Sequence, residues 1–159
     1  MMPLPDAFSS VLPSQDLRDL LALLAETSTL TLATSDPDGT PRATPLYFAA
    51  SPESDLVFLS DPDTPHARNL AERPQTAAAA YPEAASWEDI RGVQMKGTAS
   101  AVSGAEAEGA LALYRGRFGF LSQVPAAFDR MSVYRFRPHW ARLIDNRRGF
   151  GSAREWGRV

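Results

Sequence analysis

The sequence contains no cysteine, which removes disulfides, zinc–thiolate and iron–sulfur sites and thiol catalysis in one step. It has two histidines, His66 and His139, far apart along the chain, so no histidine-rich metal site is expected. Lysine is almost missing: Lys96 is the single one, which makes fifteen of the sixteen basic residues arginine. There is no surplus of positive charge either. Nineteen acidic residues against sixteen basic ones leave a formal charge of −3, which speaks against nonspecific nucleic-acid binding by counterion release. No apolar run approaches the ~18–20 residues that span a bilayer. Met1 to Pro5 lack the basic-then-apolar order of a signal peptide, so the expectation is a cytoplasmic protein with no membrane partner. No glycine-rich dinucleotide fingerprint follows any predicted strand, which argues against a Rossmann site. No Ser-His-Asp set or paired carboxylate stands out, and no catalytic residue is assigned.

What is present is enough chain for one domain, 159 residues, with a real core. Residues 1–13 read as a flexible N-terminal segment and 14–159 as a single domain. Ser14 reads as an N-cap, followed by a helix with Leu17, Leu20, Leu21 and Leu24 on one face. The pattern then switches to period two. Thr29 to Thr34 predicts a half-buried strand, Ser35 to Thr40 a turn, and Arg42 to Ala49 the second arm of a hairpin. Asp55 to Ser60 reads as a buried strand. Thr64-Pro65 opens a short helix that ends before Pro74. Thr76 to Tyr81 and Ile90 to Val102 read as strands. Ser103 to Glu106 spells a capping box, and the helix behind it buries Ala107, Ala110, Leu111, Tyr114 and Phe118. Val133 to Arg137 and Ala141 to Asp145 predict a last hairpin turning at Arg137-Pro138-His139. Hairpin-linked strands with a few short helices point to a mainly β fold, a small antiparallel barrel.

Two segments carry candidate chemistry. In Arg42-Ala43-Thr44-Pro45-Leu46-Tyr47-Phe48, residues 42, 44, 46 and 48 share one face, and Pro45 withdraws a ladder donor. The strand is either an ordinary edge or one opened for a ligand. The second segment runs from Leu59 and Ser60 through Asp61-Pro62-Asp63 to Thr64, Pro65, His66 and Arg68. A strand end, a tight loop and a helix start supply free N–H groups, two hydroxyls and positive charge from His66 and Arg68, as a phosphate site needs. The same residues also suit a plain helix cap, and Asp61 and Asp63 must then point away or cap the backbone.

In order and spacing, Arg42 to Tyr47 and Leu59 to His66 resemble the pyridoxamine-5′-phosphate-oxidase-like FMN-binding split-barrel superfamily. Its members pair an Arg-bearing strand with a strand ending in Ser or Thr, a turn and a basic helix start. His66 stands where a Lys is frequent, and Pro65 where an Arg is. Gly92-Val93-Gln94-Met95-Lys96-Gly97 and Asp145-Asn146-Arg147-Arg148-Gly149-Phe150-Gly151 before Trp156 are similar to an uncharacterised branch of it. The resemblance covers nearly the whole chain from Ser28 onward. It implies a six-stranded antiparallel Greek-key split β-barrel and a homodimer with FMN sites at the interface. It places Arg42, Ser60, Thr64 and His66 at the phosphate. Thr44, Pro45, Leu46, Tyr47 and Leu59 would line the rest of the site, with Gln94 and Asn146 near the flavin ring, from either subunit.

The function implied is an FMN-dependent oxidoreductase acting on an unidentified small molecule, the cofactor carrying the redox chemistry. It is not expected to be an efficient pyridoxamine-phosphate oxidase, because the Arg-x-His at Arg137 falls in a predicted turn. The tail arginines Arg147, Arg148, Arg154 and Arg158 leave another anionic substrate open. A non-catalytic flavin-binding or redox-sensing protein is one alternative; a heme-handling split barrel, with His66 or His139 as ligand, is the other.

Overall fold

The computed structural model describes residues 7–123 and 126–157. Eight strands form one sheet: β1 (Thr29–Ser35), β2 (Pro41–Tyr47), β3 (Ala49–Ala50), β4 (Leu56–Ser60), β5 (Gln75–Ala80), β6 (Arg91–Ala101), β7 (Ser132–Asp145) and β8 (Ala153–Gly157). The order is β2-β1-β5-β6-β7-β4-β3, with β8 added to β7, and every pairing is antiparallel. The sheet is that of a split β-barrel. Three helices accompany it: α1 (Ser14–Glu26), α2 (Pro65–Glu72) and α3 (Gly104–Arg117).

The period-two segments form strands because alternate residues have a core to enter. On β1, Leu30, Leu32 and Thr34 are buried while Thr29, Ala33 and Ser35 face water. On β6, Val93, Met95, Gly97 and Ala99 point in, while Gln94, Lys96 and Thr98 point out. Phe48, Phe58 and Phe136 sit at the centre of the core, and the ring of Phe58 stacks on Tyr134 at 5.3 Å. Helix α1 closes it with Leu20, Leu23 and Leu24.

The structure corrects the sequence reading in three places. The final pair of strands is one strand, β7, and Arg137-Pro138-His139 is a bulge within it rather than a turn. Gly97 pairs with Pro138 and Lys96 with Trp140, so His139 is the extra residue. A bulge accepts a proline that has no N–H to give the ladder. Gly97 makes the close approach there, since a Cβ would collide with the Arg137 carbonyl and the Phe136 ring. Second, the strand count is eight rather than six. The predicted Arg42–Ala49 strand breaks at Phe48, and β8 follows a loop whose polar and glycine residues hid it. In the segment before α1, a 3₁₀ turn over Phe8–Val11 buries Phe8, and Leu12 follows it into the core. The first six residues lie outside the described ones. Third, the caps differ. Ser14 is the first helical residue behind Pro13, and Ser103 makes no side-chain cap bond. Glu106 of the expected capping box reaches Arg135 and Arg137 instead.

Candidate functional site

Strand β4 runs out at Ser60 and the chain turns through Asp61–Thr64 into α2. The turn is held by the Asp61 carbonyl, which accepts from the Thr64 N–H at 3.1 Å and the Thr64 hydroxyl at 2.8 Å. The Asp61 carboxylate accepts from the Asp63 N–H at 2.9 Å, so it caps the turn. Pro65 occupies the first helical turn, where its missing N–H leaves nothing unpaired. His66 then points inward and is buried.

Ser60, Thr64 and His66 form one hydrogen-bonded trio. His66 Nε2 lies 2.7 Å from Ser60 Oγ and 3.3 Å from Thr64 Oγ1, and the two hydroxyl oxygens are 3.1 Å apart. The Thr64 proton goes to the Asp61 carbonyl, so the Thr64 oxygen is an acceptor towards its two partners. Burial, and then the charge of Arg42, lower the pKa of His66 from its ordinary value. The imidazole is neutral at neutral pH, and the charge expected from it must come from Arg42.

Arg42 sits on β2 opposite Thr34. Its Nε and Nη2 donate to the two carboxylate oxygens of Asp36 at 2.9 and 2.8 Å. Asp36 also accepts from Asn69 Nδ2 at 2.7 Å, and these bonds, Arg42 first, hold its pKa below the ordinary carboxylate value. Asn69 is buried on α2 and further contacts Thr34 Oγ1 at 3.2 Å and Arg73 at 3.4 Å. Asn69 and, at the C-cap of α2, Arg73 are spaced i, i+4, so this stripe faces the β1–β2 turn. Between that turn and the helix opens a cleft of about 580 Å³, whose charged lining includes Arg42, Arg68, Arg73, Asp36, Asp38 and Glu72.

The other predicted residues separate. Thr44 and Leu46 share the half-buried face of β2 with Arg42; Pro45 and Tyr47 lie on the opposite, exposed face. The Tyr47 ring meets Phe118 and Phe120 edge-on at 5.4 and 6.0 Å. Leu59 packs with the α3 cluster. Gln94 is exposed on the outer face, in one row with Pro45 through Thr31 and Ala79. Three strand spacings, about 14 Å, separate it from Pro45 within the chain. Asn146 is buried just after β7, and both ends of its amide are engaged: Nδ2 donates to Trp87 O at 2.8 Å and Oδ1 accepts from Gly151 N at 3.0 Å. It ties the β5–β6 loop to the β7–β8 loop and holds an exposed pair, Trp87 and Phe150, with ring centroids 5.7 Å apart.

Of the tail arginines, Arg158 lies outside the described residues and the other three are ion-paired. Arg154 pairs with Asp16 and Asp19, Arg148 with Asp19 and Arg147 with Asp145, while Arg91 pairs with Glu26. Arg91, Arg148 and Arg154 fasten α1 to β6, to the turn after β7 and to β8. Four contributors escaped the sequence reading: Asp36, Asn69, Arg73 and Arg117. Arg117 donates to the Leu24, Ala25 and Thr27 carbonyls, capping α1, and to Phe48 O at 3.0 Å. The spacing along α2 was the one signal that marked Asn69 and Arg73.

The family description that matches is pyridoxamine 5′-phosphate oxidase, over residues 17–145. The UPF0306 protein PM1958 of Pasteurella multocida is 27% identical over 110 residues, covering 69% of this chain and 70% of that protein. Among solved structures, a heme binding protein from Mycobacterium smegmatis superposes with a TM-score of 0.76 at 23% identity. The match covers 92% of this chain and 59% of that one, so the chain spans little more than half of that protein's length. A Clostridium acetobutylicum protein related to general stress protein 26, of the pyridoxinephosphate oxidase family, superposes with a TM-score of 0.70 at 11% identity, covering 92% and 96% of the two chains. At such identities the structures share the fold.

Proposed function

This chain belongs to the pyridoxamine 5′-phosphate oxidase family, and from that premise we propose that it is an FMN-binding oxidoreductase acting on a small molecule, with cofactor sites at a homodimer interface. The observation that carries the reading is the hydrogen-bonded Ser60–Thr64–His66 trio where β4 enters α2, with Arg42 near enough for its charge to add to the effect of burial on His66. The donor set suits a phosphate. Arg42 keeps Nη1 without a partner among the described residues, and its side chain is 40% exposed. The first-turn N–H groups of His66 and Ala67 have no helical carbonyl to bond. The Ser60 and Thr64 hydroxyls supply two more donors once they turn from Asp61. Arg42 orients and neutralises the anion, while the buried trio shapes the wall and excludes water. FMN, when bound, supplies the transfer of hydride or electrons.

The homodimer is supported by a sheet face with little cover. Ala43, Pro45 and Tyr47 of β2 and Ala33 of β1 are exposed, with half-exposed Thr31, Ala77 and Ala79 beside them. Small residues on a sheet let another surface approach closely, and Gln94 on the same face is available to a partner's site. The Asn146 amide makes one hydrogen bond at each end within its own chain, which leaves one N–H and one lone pair for a ligand. Pyridoxamine phosphate is disfavoured as substrate. Its phosphate needs a second basic cluster, and among the described residues Arg137, Arg147, Arg148 and Arg154 are all ion-paired.

The absorbance spectrum of the purified protein tests this reading. Flavin bands that persist through desalting support it. A Soret band instead supports heme handling, which the Mycobacterium smegmatis neighbour and the exposed His139 at the bulge favour. Bound flavin that neither nicotinamides nor chemical reductants reduce points to a binding protein without redox activity.

A further inference from the structure

Arg42 is gripped in a particular way. The carboxylate of Asp36 takes Nε and Nη2, the side edge of the guanidinium, at 2.9 and 2.8 Å. The end edge, Nη1 with the second Nη2 proton, is left over. Asp36 is itself fixed from two directions. Its backbone closes the β1–β2 turn, with the Asp36 N–H donating to Thr40 O at 2.8 Å and its carbonyl accepting from Gly39 N at 2.9 Å. Its side chain is held by Asn69 Nδ2 at 2.7 Å, from a residue that is 4% exposed. Arg73 extends the chain of contacts, reaching Asn69 Oδ1 at 3.4 Å and the Ser35 carbonyl at 3.1 Å. The stripe that holds Asp36 lies on the helix whose first turn carries His66, and His66 senses the charge of Arg42.

A guanidinium on a flexible stem loses entropy when it is recruited to an anion. One already held by its side edge loses less and offers a fork in fixed orientation. We infer that Asp36 and Asn69 are positioning residues: they lock Arg42 side-on so that its end edge is presented to the phosphate at the start of α2. The inference rests on the phosphate reading above. Its direction is not the obvious one. A carboxylate beside an anion site would ordinarily count as a competitor whose removal improves binding. Here its loss weakens binding, because orientation outweighs the repulsion.

The experiment compares FMN with riboflavin, which lacks the phosphate, by fluorescence titration of the apoprotein and its Asp36→Ala, Asp36→Asn and Asn69→Ala variants. Thermal melting is recorded in parallel. The parent should prefer FMN. Asp36→Ala should lower the FMN-over-riboflavin preference about three- to tenfold, the scale of part of one charge-assisted bond, and leave riboflavin affinity unchanged. Asn69→Ala should lower it less. Asp36→Asn, which keeps an acceptor for Arg42 Nε without the charge, should match or exceed the parent. A general loosening of the fold would instead lower both affinities and the melting temperature together, and would overturn the inference. If Asp36→Ala and Asp36→Asn both raise FMN affinity, Asp36 is only a competitor, and the inference fails while the phosphate reading stands. A parent that shows no preference for FMN removes the phosphate reading and this inference with it.

Discussion

Two arginine-rich regions of this protein look alike in sequence and differ in kind. At the β7–β8 end, Arg91, Arg147, Arg148 and Arg154 meet Asp16, Asp19, Glu26 and Asp145, and the Trp156 indole donates to Asp16 at 3.0 Å. At the β2–α2 end, Arg42 also has a carboxylate partner, yet it keeps Nη1 without a partner among the described residues and lines the open cleft between the β1–β2 turn and α2. The first region fastens a helix to a sheet. The second is organised in the same way but leaves valence over. An arginine's role is therefore decided by the donors left after its structural partners are served.

The largest expected effect breaks this comparison if it fails. Arg42→Ala should reduce FMN affinity roughly ten- to a hundredfold, the scale of a lost charge-assisted contact. It should leave the melting temperature nearly unchanged, because the residue is half-exposed and its partner Asp36 keeps Asn69. Isothermal titration and a thermal melt on the same sample read both. The complementary change, Arg154→Ala, should leave FMN affinity alone and cost about 1 kcal/mol of stability, a small figure because the network is partly exposed and screened by solvent. Equal effects of the two on affinity would erase the distinction.

Next in size, Asn146→Ala should destabilise by about 1–3 kcal/mol, since two hydrogen bonds to a buried amide are lost. Flavin affinity should be maintained if the residue acts only as a clamp. A loss of flavin without a loss of stability would keep Asn146 in the ligand set.

A smaller effect concerns pH. Asp19, Glu26 and Asp145 are held below their ordinary values, chiefly by hydrogen bonds from Arg154, Arg91 and Arg147 respectively. Their contribution to stability is present above the ordinary carboxylate range and is lost as pH falls through the lower folded values. His66 is also depressed, by burial first, so the unfolded chain binds its proton more readily. Stability should begin to decline once pH drops below about 6.5. Urea unfolding at stepped pH should show both declines, and His66→Gln should remove the upper one only.

Much of the barrel was legible because its strands alternate cleanly: Leu30 and Leu32 against Thr29 and Ala33 read as a half-buried strand without help from context. The bulge at Arg137-Pro138-His139 was not. Proline between polar residues is the usual mark of a turn, and only the pairing with Gly97 shows that β6 absorbs it. The clustering of Ser60, Thr64 and His66 was legible because the three lie close in sequence. Asp36 and Asn69 were not, since their contact spans 33 positions and depends on how α2 lies against the β1–β2 turn. Gln94 and Asn146 were grouped with the site by resemblance. Within this chain Gln94 stands on the outer face of the sheet and Asn146 in a loop clamp.

The central claim is that this protein holds FMN by its phosphate at Arg42. It is tested most directly by titrating the apoprotein with FMN and with riboflavin, for the parent and for Arg42→Ala. The account predicts that the parent binds FMN more tightly than riboflavin and that Arg42→Ala abolishes most of that difference. Equal affinity for the two flavins in the parent, or an FMN preference that survives in Arg42→Ala, would contradict it.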